Sequence, residues 1–396
     1  MAELTLDRLR KAVDEDAAIR RVQKLQPAGG PGDKLFPPTY PGERTNDPAR
    51  HVFETRRIGG NDVRCVLIDS VQSQANRLEE AILNAIRENR IQVPYLSVNF
   101  IGQKDTRGTD ISDLGEVTSF DAPHRVFDAI IRDSNLNGTK FTETSEYKKL
   151  LLAKPTNSVQ VFALSPNSLL FGAWNSTGEG GGLGSKFTRC IVSEIVGVNA
   201  DEGQKSAVRI DPLGIRASVK IVGGPLDWSI ASGGKGEKSY RPSEINHSNV
   251  ISNVVPGGVT IDYALHTAVI TCAGLRRLRF PGTKDEAAGR TFLAALGLFA
   301  LTEQDRGGYS LRSRCDLVCD GKEQFEFVLP NGSTEKFGLD ADGARDCLKR
   351  AAEAVKQAGF PWSDKPIVLT PQPRLVELVA LSRAKALEGE AEGPTT

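Results

Sequence analysis

At 396 residues the chain exceeds the usual size of one domain, which implies either two domains or one core carrying large insertions. Apolar residues at 39% and charged residues at 25% exclude a disordered or fibrous chain. The 50 basic and 50 acidic side chains cancel, which excludes a globally basic polyanion binder and leaves only a local concentration of Lys and Arg to do that work.

Six cysteines (Cys65, Cys190, Cys272, Cys315, Cys319, Cys347) are scattered with no signal pattern ahead of them, as reduced, buried thiols of a cytoplasmic protein would be. Cys315 and Cys319 form the one close pair, and with no His or second pair beside them they read as strand residues rather than zinc ligands. No apolar run reaches the roughly 18 residues of a membrane span.

In chain order, residues 4–25 place Leu6, Leu9, Val13, Ile19 and Val22 at spacings that predict a helix. Residues 29–48, dense in Gly and Pro, predict an extended arm. The β-branched run 63–68 predicts a strand. It leads through Asp69 and Ser70 into an amphipathic helix whose apolar side is Val71, Ala75, Leu78, Ile82, Ala85 and Ile86. The opposite side then carries Ser73, Asn76, Arg77, Glu80 and Asn84. Residues 95–101 predict the next strand, 102–155 an insertion of mixed helix and loop, and 158–164 with 168–174 two strands joined by a Ser-Pro-Asn turn. Strands are predicted over 187–198, 259–272, 308–319 and 324–329, and helices over 284–301 and 341–358. Residues 222–258 break the pattern with repeated Gly pairs around an apolar segment holding Val250 and Ile251. The fold class is α+β, one core interrupted by two insertions.

Two constellations carry candidate chemistry. Ser70, Gln72, Ser73, Gln74, Asn76 and Arg77 crowd hydroxyls, amides and a guanidinium onto the opening turns of a helix. Free amides there favour an anion and these side chains suit phosphate and ribose oxygens, although capping by Asp69 or Ser70 with a solvated polar face explains the same residues. The second is Trp174, Asn175 and Ser176 followed by a Gly-rich loop to Lys186 and Arg189, which lets backbone amides approach phosphates closely. Trp174 there suits either base stacking or packing on a sheet. The loop differs from a P-loop because its order is Gly-Ser-Lys and a strand follows. Basic residues concentrate from Arg276 to Arg314, and Lys235, Lys238 and Arg241 sit in the Gly-rich excursion; each group suits a solvated surface equally well.

Catalytic and metal motifs are missing. His51, His124, His247 and His266 are far apart without a paired-ligand context, and no Gly-x-Ser-x-Gly elbow occurs. The sequence therefore assigns no catalytic residue, metal or cofactor, while scattered carboxylates such as Asp69 or Asp227 leave a nuclease open.

Three segments together, LIDSVQSQANRLEEAI (67–82), DAPHRVFDAIIRDS (121–134) and LLFGAWNSTGEGGGLGSKFTRCIVSEIVG (169–197), resemble the backbone subunit of CRISPR Cascade complexes, a RAMP-superfamily protein, in the Csb-type branch of type I-G (formerly I-U) systems. The resemblance implies an RRM-like (ferredoxin-like) palm with finger-like and thumb insertions. It divides the chain into an N-terminal helix and arm (1–62), palm (63–101), finger (102–155), palm with the Gly-rich loop (156–221), thumb (222–258), palm completion with C-terminal helices (259–387) and a flexible tail (388–396). It also implies a non-catalytic, crRNA-binding subunit that polymerises head to tail along the guide. Its partners are then crRNA, target DNA through the heteroduplex, further copies of itself, and other Cascade subunits including the crRNA-processing and large subunits, with no membrane. The two constellations become RNA contacts, and Val250 and Ile251 the thumb wedge. Two alternatives from other classes are an RNA-cleaving backbone subunit of type III-like character and a nucleotide-binding protein.

Overall fold

A computed structural model describes residues 2–42, 47, 49–175, 185–204, 207–224, 227–232, 239–247, 250–252, 257–321 and 325–387. The fold is mixed α+β. Strands β1 (Ala18–Pro27), β2 (Phe53–Ile58), β3 (Asn61–Asp69), β4 (Ile191–Val198), β5 (Tyr263–Thr271), β6 (Phe325–Val328) and β7 (Thr334–Gly338) join one sheet. Their order across it is β7-β6-β1-β5-β4-β3-β2, and all these pairs are antiparallel. The sheet curls because β1 changes partner along its length. Residues 18–21 pair with β6, whereas residues 25–27 pair with the strand Cys315–Cys319.

Four helices cover one face: α1 (Leu6–Glu15), α2 (Val71–Arg87), α3 (Glu286–Gly307) and α4 (Ala341–Gln357). Helix α3 is largely apolar and, half-buried Arg290 apart, is buried from Ala287 to Gln304, because it packs against α1, α2 and α4 and, at Gly297, against the sheet. Its approach to the sheet depends on Gly297, where a Cβ would stand 2.9 Å from Ile270 Cδ1. The main core includes Phe162, Phe280, Phe292 and Phe299, and burying each such side chain contributes about 1.5–3 kcal/mol. A smaller core on the other face joins Leu25, Val66 and Ile195 to Leu35 of the arm and to Tyr309 and Leu317 of the hairpin 309–319.

Several local expectations fail. The predicted strand 308–319 is a hairpin, Tyr309–Arg312 and Cys315–Cys319, turned at Arg314 with φ +57°. Residues 18–27 form a central strand rather than a continuation of the first helix. Helix α1 stops at Glu15, and the following residues alternate between facing the core and facing outward, the period of a strand. Residues 159–164 and 166–171 are two short helices rather than strands, because Pro166 opens the second helix and the segment is buried on all sides, so its β-branched residues do not alternate. Only Ala173–Trp174 is extended there. A further helix, Pro373–Leu387, follows α4.

Candidate nucleic-acid interface

Helix α2 begins where β3 ends. Ser70 caps it, its Oγ accepting from the Ser73 amide at 3.3 Å. At the other end Arg90 N–H donates to the Ala85 carbonyl and Asn89 turns left-handed at φ +57°, closing the helix. Its apolar positions face α3 and the sheet, so Gln72, Asn76, Glu80 and Asn84 form an exposed polar stripe at four-residue spacing.

The opening turns divide into outward and inward groups. Gln72 and Asn76 are exposed, and Ser70, Ser73 and Arg77 are half-buried. Gln74 is fully buried and is not an external contact. Its Nε2 donates to Asp69 Oδ2 at 2.6 Å, and its Oε1 accepts from Ser193 Oγ at 3.0 Å. Ser193 lies 2.6 Å from His266 Nε2, and Arg21 Nη1 donates to His266 Nδ1 at 2.9 Å. Since an arginine nitrogen only donates, Nδ1 accepts and the imidazole carries its proton on Nε2. Burial, reinforced by Arg21, holds His266 well below the ordinary histidine range, so it is neutral. In that tautomer Nε2–H donates to Ser193 Oγ, whose own proton goes to Gln74, so the contact is structural and not a nucleophile–base pair; both residues, 3% and 0% exposed, are also closed to a substrate. Arg77 belongs to the same network: its Nε donates to Asp69 Oδ2 at 3.0 Å and its Nη2 to the Leu311 carbonyl at 2.6 Å. It anchors α2 to the hairpin and is not a free cation.

A cleft of about 550 Å³ opens beside the stripe, lined by Gln72, Asn76, Asn84 and Arg87 of α2, by the 120–125 turn and by Arg189. Its floor is a buried ion pair. Arg125 donates from Nε and Nη2 to the two oxygens of Glu79 at 2.7 and 2.6 Å, and Asn167 Nδ2 adds a third bond at 2.8 Å. Burial pushes the Glu79 carboxyl upward, while Arg125 and Asn167 pull it down. Arg125 also donates from Nη1 to the Gly172 carbonyl at 2.8 Å, which ties the cleft to the segment carrying Trp174. Gly172 has φ +86°, and a Cβ there would meet Arg189 Cγ at 2.9 Å, so this crossing requires glycine. Arg189 is half-buried, and desolvation followed by the nearby Arg125 charge lowers it from the usual arginine value.

Trp174 and Lys186 are directly opposite each other in a two-stranded ribbon that continues from Gly172. Trp174 is 55% exposed, and Lys186 Nζ lies 5.5 Å from its ring centroid. The tryptophan is therefore an outward platform rather than a core residue. Asn175 is buried, its amide donating to the Ser185 carbonyl at 2.9 Å, which closes the base of the Gly-rich loop. Ser176 lies outside the described residues, as does most of that loop. Val250 and Ile251 lie in the strand Val250–Ser252, paired with Ala207–Arg209, and these pairs are remote in sequence from the cleft.

Sequence reasoning missed Arg125, Glu79 and Asn167. The quoted segment 121–134 contains Arg125, but its left-handed backbone (φ +52°) and its buried partner 46 residues earlier leave no periodic signal. Among the described residues no group of three or more His, Cys, Asp or Glu side chains is arranged to hold a metal ion. No helix of the described residues is long and apolar enough to cross a membrane.

A comparison with curated proteins finds no match. Residues 19–202 match the family described as CRISPR-associated protein GSU0053. The matched segment contains the start of α2, the 120–125 turn and the Trp174–Arg189 region, and it supports a CRISPR-associated protein.

Proposed function

We propose that the chain is the crRNA-binding backbone subunit of a type I CRISPR surveillance complex, of the Csb-type, type I-G kind, with no catalysis of its own. Copies polymerise head to tail along the guide and present it for pairing with target DNA, alongside the crRNA-processing and large subunits. The observation that carries this reading is a set of linked features: the polar stripe of α2 beside the Arg125–Arg189 cleft, and the exposed Trp174–Lys186 pair, tied to the cleft by the hydrogen bond from Arg125 to the Gly172 carbonyl. All of it lies within the segment matching a CRISPR-associated family. Aromatic platforms beside cations hold single strands by stacking and by phosphate contact. The sheet order β6-β1-β5-β4, with α2 and α3 on one face, supports an RRM-like, ferredoxin-like palm.

The test is RNA affinity of the full chain across a salt series. Trp174→Ala with Lys186→Ala removes one stacked base, about 1–3 kcal/mol, and one phosphate contact. The expected result is at least about a tenfold loss of affinity and a salt slope shallower by about one, at an unchanged thermal midpoint. Unchanged affinity in the folded double variant contradicts the assignment. Magnesium-dependent cleavage of bound RNA would instead favour a nuclease subunit.

A further inference from the structure

A second cleft, of about 690 Å³, opens on the helical layer where α1, α4 and the turn after α2 meet, and it shares no lining residue with the Arg125–Arg189 cleft. Its floor is apolar: Ile91, Leu348 and Ala352 are buried, and Leu6 and Trp362 are half-buried. The Trp362 ring is fixed there, edge-on to Phe292 at 5.2 Å between centroids, while its Nε1 donates to Asp364 at 2.8 Å. The rim is basic. Arg90, Lys349, Arg350 and Lys356 stand on it against Glu353 alone. Arg90 is held by Glu88 and Glu303, and Lys356 by Glu353 and Asp364. Lys349 and Arg350 are exposed on α4 and make no hydrogen bond or ion pair among the described residues.

An apolar floor with a rigid tryptophan inside a charged rim is the anatomy of a protein–protein interface. A nucleic-acid strand needs a track of cations beside open ring faces, whereas only two cations are uncommitted on this rim. Charge complementarity sets the partner's chemistry: carboxylates to meet Lys349 and Arg350, and aliphatic side chains to cover the floor. Paired with itself about a twofold axis, the rim would set cation against cation. We propose that this cleft docks an acidic segment of a different protein, a helix that presents Leu or Ile to Trp362 and Leu348 and Glu or Asp to Lys349 and Arg350. The inference does not rest on the RNA-binding reading, because none of these residues belongs to the surface assigned to RNA.

The probe is a fluorescent peptide of roughly twelve residues, about three helical turns, with Leu at helical spacing among Glu residues. It is titrated against the full chain by anisotropy, beside a control peptide in which every Glu is Gln. The Glu peptide is expected to bind about tenfold tighter than the control at low salt, with the gap closing as salt rises. Lys349→Glu with Arg350→Glu alters two exposed positions, so the thermal midpoint should hold while the Glu peptide loses about tenfold and the control loses nothing. Leu6→Ser should weaken both peptides alike, which reports the floor. Equal binding of the two peptides, or undiminished binding in the double variant, overturns the proposal. Displacement of the peptide by single-stranded RNA overturns it too, as does self-association of the chain that the double variant abolishes. Peptide binding as expected in a chain that fails to bind RNA upholds the docking face and removes only the RNA reading.

Discussion

Arg125 shows how much one residue fixes. It joins Glu79 of α2, the Gly172 carbonyl and, through its charge, Arg189. Both members of the Glu79–Arg125 pair are buried, so deleting one leaves an uncompensated charge, at a cost of about 3–5 kcal/mol. Arg125→Ala is therefore expected to lower the urea midpoint by that equivalent, and Glu79→Met with Arg125→Met to recover at least half of it. A single variant with wild-type stability would mean that the pair is not formed in solution. Gln74 makes the converse point. It reads from the sequence as one more amide on a polar helix start, yet it is the internal link between Asp69 and Ser193. Nothing in the local pattern separates it from Gln72, because two residues on a helix differ in facing by about 200° and only the sheet behind decides which is inside.

At the scale of elements, strong periodicity was legible and burial on all sides was not. Helix α2, helix α4 and strands β3 and β4 follow from their apolar spacing and from caps such as Ser70 and Asp340. The segment 158–171 misleads because most of its apolar run is buried, which removes the alternation that separates strand from helix. The chain Arg21–His266–Ser193–Gln74–Asp69–Arg77 joins β1, β5, β4, α2 and the end of β3, and no sequence window spans it. It makes stability depend on pH with a definite sign. The native imidazole stays neutral below the value of an unfolded histidine, about 6.5, so the unfolded chain binds the extra proton. Stability is full above that pH and falls as pH drops below it, by up to about 1.4 kcal/mol per pH unit from this group. Urea midpoints at pH 7.5 and 5.5 should show the loss in wild type and a smaller one in His266→Gln. Equal losses in both would assign the dependence elsewhere. The lowered carboxyls of Glu303 and Asp285 act in the more acidic range and do not overlap this window.

For the whole molecule, the family-level reading came from long motifs, whereas the geometry of the surface came only with the fold. The start of α2 and the ribbon at Trp174 are about a hundred residues apart in the chain. The tertiary contacts that join them run through Arg125 and Gly172, neither of which the sequence marks as a site. The conformation of the Gly-rich loop and the tail 388–396 lie outside the described residues. The most direct measurement is photo-crosslinking of a guide RNA to the full chain, with the attached peptides located by mass spectrometry. The account predicts adducts at Trp174 and within residues 120–125, both lost when unlabelled RNA competes. Adducts confined to the α4 face or to the helix Pro373–Leu387, with none at those two places, would contradict it.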